Sequence, residues 1–213
     1  MNAMWSGQAW KVEWVRFFED RLPSLLQVLD AGSCREGWLQ AEAFRYFREH
    51  PSFYCNYAHL SEGGRRRADF AAYSSERRNA RLTFLGECKV LGTSRFQPKV
   101  VTGAHADVTQ ILRENPGTGP IVFGNDAATW RFLHEGRFSI LSDYFRLVNA
   151  PYINNNTERF LFLVLHKPTG ENTNTAGELL LRLQFESESP EIVVDGGEVE
   201  VRGWRVRGVS RRE

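Results

Sequence analysis

The sequence predicts an α/β fold: a mixed central β-sheet flanked by helices, with extra antiparallel strands at the C-terminal end. Three observations carry this. Apolar residues recur at helical spacing through residues 10–50, and two runs near the middle, "RADFAAYS" and "RLTFLGECKVL", read as the strands of a hairpin. From Leu179 on, apolar and polar residues alternate around Asp195-Gly196-Gly197, as antiparallel strands joined by a tight turn would.

At 213 residues, with 42% hydrophobic and 25% charged side chains, the chain can bury one main core, and its composition excludes disorder. The expected organisation is an N-terminal helical extension (1–32), a core (33–170) and a C-terminal β-rich segment packed on that core (171–213). No stretch approaches the roughly 20 apolar residues that span a bilayer, and "MNAMWSGQAWKVEW" lacks the basic and apolar regions of a signal peptide. The expected location is the cytoplasm, with no membrane partner. Cys34, Cys55 and Cys88 show neither a close pair nor a metal-finger spacing, and are expected to be reduced.

In chain order, Trp10, Trp14, Phe17 and Phe18 mark a first helix, and Pro23 is expected to start a second helical segment. "AGSCREGWLQAEAFRYFREHPSF" has Ser33 as an N-cap, Glu36 in the capping-box position and Pro51 as a stop. The hairpin follows. "GAHADVTQILREN" then spaces Val108, Ile111 and Leu112 as a helix, ended by "PGTGP". An apolar strand from Ile121, a second around Trp130 to Leu133, a short helix near Ser142 to Val148 and the strand "ERFLFLVLHK" complete the core.

The net charge of +1 is unevenly spread. Residues 35–100 hold 12 Lys and Arg against 7 Asp and Glu, whereas residues 101–213 hold 12 against 15. A basic face of this kind suits phosphate binding, although arginine runs at loop tips also serve simply to solvate a turn.

The chemistry concentrates on the hairpin. Glu87 and Lys89 stand two apart on one strand and so share a face, with Cys88 turned the other way. Asp69 sits in the neighbouring strand pattern, where aspartate is disfavoured, and simple register turns it to that same face. Two adjacent carboxylates suit a hard divalent cation such as Mg2+ or Mn2+, and an ammonium beside them can orient an attacking water and offset developing charge. A plain cross-strand salt bridge is the competing structural reading. Upstream, Glu42 lies on the flank of the helical stripe Leu39, Ala43, Tyr46, Phe47 and His50, where it is either a site residue or an ordinary boundary residue.

Asp69 followed by Glu87-Cys88-Lys89 on the next strand, with Glu42 on a helix before and an amphipathic helix after, resembles the PD-(D/E)XK nuclease core of restriction-endonuclease-like proteins. The resemblance covers roughly Ser33 to Leu133, and Ala68 stands where the family often has proline. It implies a restriction-endonuclease-like sheet and a Mg2+- or Mn2+-dependent phosphodiesterase acting on nucleic acid, DNA first. Asp69, Glu87 and the backbone carbonyl of Cys88 would be metal ligands, Lys89 the catalytic lysine, and Glu42 the holder of metal-bound water or of a second metal. Arg65, Arg66 and Arg67 at the mouth of the site, with Arg95 and Lys99 on the outgoing loop, would hold phosphates. Gln110 is a weaker substrate-contact candidate, because Glu114 stands where some members carry tyrosine. His59 and His105 are proton-carrier candidates on sequence proximity alone. A homodimer or larger assembly is an expected context, and a catalytically silent nuclease-like binding module is the alternative function.

Overall fold

The computed structural model describes residues 7–30, 35–50, 52–56, 67–75, 80–92, 98–102, 105–124, 139–150, 156–169, 173–186 and 189–207. Its helices are α1 (Gly7–Asp30), α2 (Arg35–Tyr46), α3 (Pro98–Val101), α4 (His105–Glu114), α5 (Ile140–Val148) and α6 (Thr175–Arg182). Its strands are β1 (Phe53–Cys55), β2 (Phe70–Tyr73), β3 (Leu82–Leu91), β4 (Ile121–Phe123), β5 (Glu158–His166), β6 (Leu183–Phe185), β7 (Ile192–Asp195) and β8 (Val199–Arg205).

A mixed six-stranded sheet runs β1-β2-β3-β5-β8-β7, parallel only between β3 and β5, while β4 and β6 form a separate two-stranded parallel sheet. The strand alternation on β3 sorts its side chains between two cores. Phe84, Cys88 and Val90 meet α1 and α2; Leu85 and Leu91 face the side built from α4, α5 and α6. Gly86 falls on the first side, where an added Cβ would come within 3.1–3.2 Å of the Phe84 and Phe70 rings.

The α1 side is aromatic. Trp14 is fully buried, with ring centroids 4.7 Å from Phe47, 4.7 Å from Phe162 and 4.9 Å from Phe70. The N-terminal tryptophans Trp10 and Trp14 are therefore core residues. The apolar positions on both sides of Pro23, Phe17 and Phe18 before it and Leu25 and Leu29 after, belong to that one core, so α1 continues through the exposed proline instead of restarting there. Packing offsets the lost backbone hydrogen bond.

One further expectation is corrected. Leu179 to Arg182, expected to open a strand, belong to helix α6: Ala176, Leu179 and Leu180 fall on one buried helix face, and the Asn174 side chain caps the helix by accepting from the Gly177 N–H at 2.9 Å. β4 pairs with β6, and the expected strand at Trp130 to Leu133 lies outside the described residues. β1, which escaped the sequence reading, adds an antiparallel strand at the sheet edge, Tyr54 opposite Ala71. Among the described residues no helix is long and apolar enough to cross a membrane.

Candidate active site

The hairpin ladder stops before β3 does. Its last rung pairs Phe70 with Gly86, so Glu87 to Leu91 are bonded to β5 on one flank and lose β2 on the other. Asp69, one residue before β2, fills the first vacated place: its Oδ2 accepts the Cys88 N–H at 2.8 Å. Continuing the register sets Asp69 opposite Glu87, on the face that simple alternation assigns it.

Asp69 is held from behind. Gln40 Nε2 donates to its Oδ1 at 2.8 Å, Asn56 Nδ2 donates to Gln40 Oε1 at 2.7 Å, and the Asn56 N–H donates to the Asp69 carbonyl at 3.2 Å. Asn56 adopts the left-handed region at φ 52°, which asparagine tolerates better than most residues. The carboxylate is thus aimed by a chain running from the β1 end through α2.

Glu87 is 2% exposed. Burial first, and then the charge of Asp69, push its carboxyl well above the usual carboxylate range, with Arg146 and Lys89 pulling the other way. A side-chain interaction with Asp69 adds to the rise. The wholly buried Glu87 Oε1 has no hydrogen-bond partner among the described residues. Glu87 Oε2 lies 3.6 Å from Arg146 Nη2.

Lys89, 8% exposed, places Nζ 3.0 Å from Asp143 Oδ2 and 3.4 Å from Glu36 Oε1. Asp143 is fully buried on α5 and also binds Arg146, one helical turn on. Among the described residues the connected network holds four acids (Glu36, Asp69, Glu87, Asp143) and two cations (Lys89, Arg146), a formal charge of −2 if every acid is ionised. A proton on Glu87 or a bound divalent cation would relieve such an excess.

The residues fit such an ion. An orphaned buried carboxylate oxygen and a second carboxylate beside it offer hard oxygen donors, and Mg2+ is commonly bound through one or two carboxylates while keeping several waters. Among the described residues no group of three or more His, Cys, Asp or Glu side chains is placed to hold a metal ion, so the protein would supply two carboxylates and water the rest. Cys88 meets Asp69 through its amide, while its thiol is buried on the opposite, aromatic face and pushed up by burial and by Asp69. The half-buried Cys55 thiol, which donates to the Gln40 carbonyl, is likewise pushed up to about 12 by burial first and Asp69 second.

Glu42 is not among these residues. Its Oε2 accepts from Arg21 Nε at 2.8 Å, tying α2 to α1. Glu36 and Gln40 instead face the site from α2; four residues apart, they stand about 40° from each other on the helix, with Glu42 on another side. Arg67 is exposed next to the site and donates to the Asn56 carbonyl at 3.2 Å. Gln110 is exposed on α4 and donates to Glu114 at 2.9 Å, the residue one turn on. Arg65, Arg66, Arg95 and His59 lie outside the described residues, as do the side chains of Lys99 and His105.

Glu36, Gln40, Asp143 and Arg146 escaped the sequence reading. One signal was present for Asp143: it interrupts the apolar stripe Ile140, Leu141, Tyr144, Leu147 and Val148 of a short helix. In the sequence Glu36 stands out only as half of a capping box.

Glu87 also makes stability depend on pH. A carboxyl whose folded pKa is raised contributes its stability fully below the unfolded pKa and loses it as pH rises through the folded value. Chelator-treated wild type is expected to lose stability relative to Glu87→Gln from about pH 4 upward, by up to about 1.4 kcal/mol per pH unit within that window. Urea unfolding of both proteins at pH 5 and pH 8 checks this; parallel curves would remove Glu87 as the cause.

Compared with known proteins, the chain matches no family model, no curated protein and no solved structure.

Proposed function

We propose that the protein is a divalent-metal-dependent nuclease of PD-(D/E)XK type, hydrolysing phosphodiester bonds in nucleic acid, DNA being the first substrate to test. The observation that carries this reading is the convergence of Asp69 and Glu87 at the point where β3 outruns β2, with the Lys89 ammonium two residues on. The order helix α2, hairpin β2–β3, helices, then β5 parallel to β3 agrees with a restriction-endonuclease-like core.

A divalent cation bound there would neutralise charge on the phosphate and lower the pKa of a water. The chain's own residues supply the rest. Gln40 and the Cys88 amide fix the Asp69 carboxylate, Glu87 presents an oxygen without a hydrogen-bond partner among the described residues, and Asp143 with Glu36 holds the Lys89 side chain in place. Lys89 then steers water toward the phosphate and offsets the charge that develops on it. Arg67 is the described member of the basic set proposed to hold phosphates.

A second reading is a catalytically silent nuclease-like module, favoured by one observation: Lys89 and Arg146 already satisfy much of the acidic charge as closed ion pairs. Thermal unfolding with and without 5–10 mM Mg2+ or Mn2+, read beside cleavage of plasmid, single-stranded DNA and RNA, separates them. The nuclease reading expects both a metal-dependent rise in Tm, a gain of about 2.7 kcal/mol at a hundredfold excess over Kd, and cleavage. Neither effect in wild type would defeat it.

A further inference from the structure

Asp143 costs free energy where it stands. Every neighbour in its stripe is apolar, and a fully desolvated carboxylate is retained only against partners. Lys89 alone has two acids for its single charge, so Asp143 is not needed merely to neutralise it. What Asp143 adds is Arg146: it binds that guanidinium from the same helix, with Ser142 Oγ accepting from Nη1 at 3.2 Å, and sets Nη2 beside Glu87 Oε2.

Resting on the nuclease reading above, we propose that Arg146 is a built-in counter-ion that competes with the divalent cation for Glu87, and that Asp143 is the carboxylate that keeps hold of it when the cation binds. Two facts support this. Glu87 is buried with one oxygen lacking a hydrogen-bond partner among the described residues, so the arginine approaches only the other oxygen. Arg146 Nη2 stands 3.6 Å from that second oxygen, beyond hydrogen-bond distance, while the same guanidinium also binds Asp143. A unit positive charge within a few ångströms of a divalent ion opposes its binding even with protein screening, and one that moves toward Asp143 opposes it less. The pair Asp143–Arg146 therefore tunes metal affinity without itself touching the ion.

The test is metal binding, not turnover. Titration calorimetry of the full chain with Mn2+ at pH 8, without nucleic acid, is expected to show Arg146→Gln binding about fivefold to tenfold more tightly than wild type. Asp143→Asn, which removes the carboxylate that shares this guanidinium with Glu87, is expected to bind about tenfold more weakly. Arg146→Met repeats the first measurement with the side-chain stem kept, so a folding defect in one variant, seen by circular dichroism, leaves the other to decide. Wild type that binds no Mn2+ overturns the nuclease reading and this inference together. Wild type that binds while both Arg146 variants bind equally or more weakly overturns this inference alone.

Discussion

Asp69→Ala and Lys89→Met are each expected to lower Mg2+-dependent cleavage by about a hundredfold or more, the loss seen when one preorganised electrostatic partner leaves a catalytic site. The two act differently. Asp69→Ala removes a carboxylate aimed at the Glu87 side of the site and also releases the Cys88 amide and Gln40, so metal affinity should fall with rate. Lys89→Met keeps the aliphatic stem but removes the ammonium held between Asp143 and Glu36, so metal binding should persist or strengthen while turnover collapses. Its stability cost should stay at or below the roughly 3–5 kcal/mol of an orphaned buried partner, since Arg146 still binds Asp143. Initial rates on plasmid DNA, with Mn2+ affinities measured alongside, decide the matter. Cleavage at the wild-type rate in both variants would assign the activity to some other site or to a contaminant.

Trp14→Ala is expected to be the most damaging single change to the fold. The indole is fully buried and ring-packed against Phe17, Phe18, Phe47, Phe53, Phe70, Phe84 and Phe162, which belong to α1, the 3-10 turn just after α2, and four strands of the sheet. Its removal leaves a cavity that stiff aromatic neighbours cannot readily fill, a loss of about 3–5 kcal/mol, comparable with much of the stability of an ordinary domain. Trp14→Phe should cost less, because it keeps a ring in the same place. Urea unfolding of the two variants checks the ranking; a loss under about 1 kcal/mol for Trp14→Ala would mean that the α1 packing contributes little.

What the sequence disclosed depends on the range of the contact involved. Asp69, Glu87 and Lys89 were legible because a strand repeats every two residues and the hairpin register is local. The wheel for α2 put Glu42 on a flank, but which flank meets the end of β3 depends on how the helix lies across the sheet, and that is set by α1 packing. Glu36 and Lys89, 53 positions apart, are joined only by that arrangement. Asp143 and Arg146 belong to a helix whose apolar pattern was recognised, but the pattern does not name the strand beneath it. α6 was misread because a leucine run of that length fits a buried strand or a helix face equally well. β4 and β6 pair across 59 residues of intervening chain with no turn to announce them.

Because neighbouring positions of β3 serve opposite sides of the sheet, the reactive groups and the aromatic packing are interleaved along one short stretch of backbone. Deleting a single residue there, for example at Gly86, would present every later side chain to the wrong layer: ions would be forced among the phenyl rings and Cys88 and Val90 would enter the charged network. This segment should tolerate changes of residue far better than changes of length.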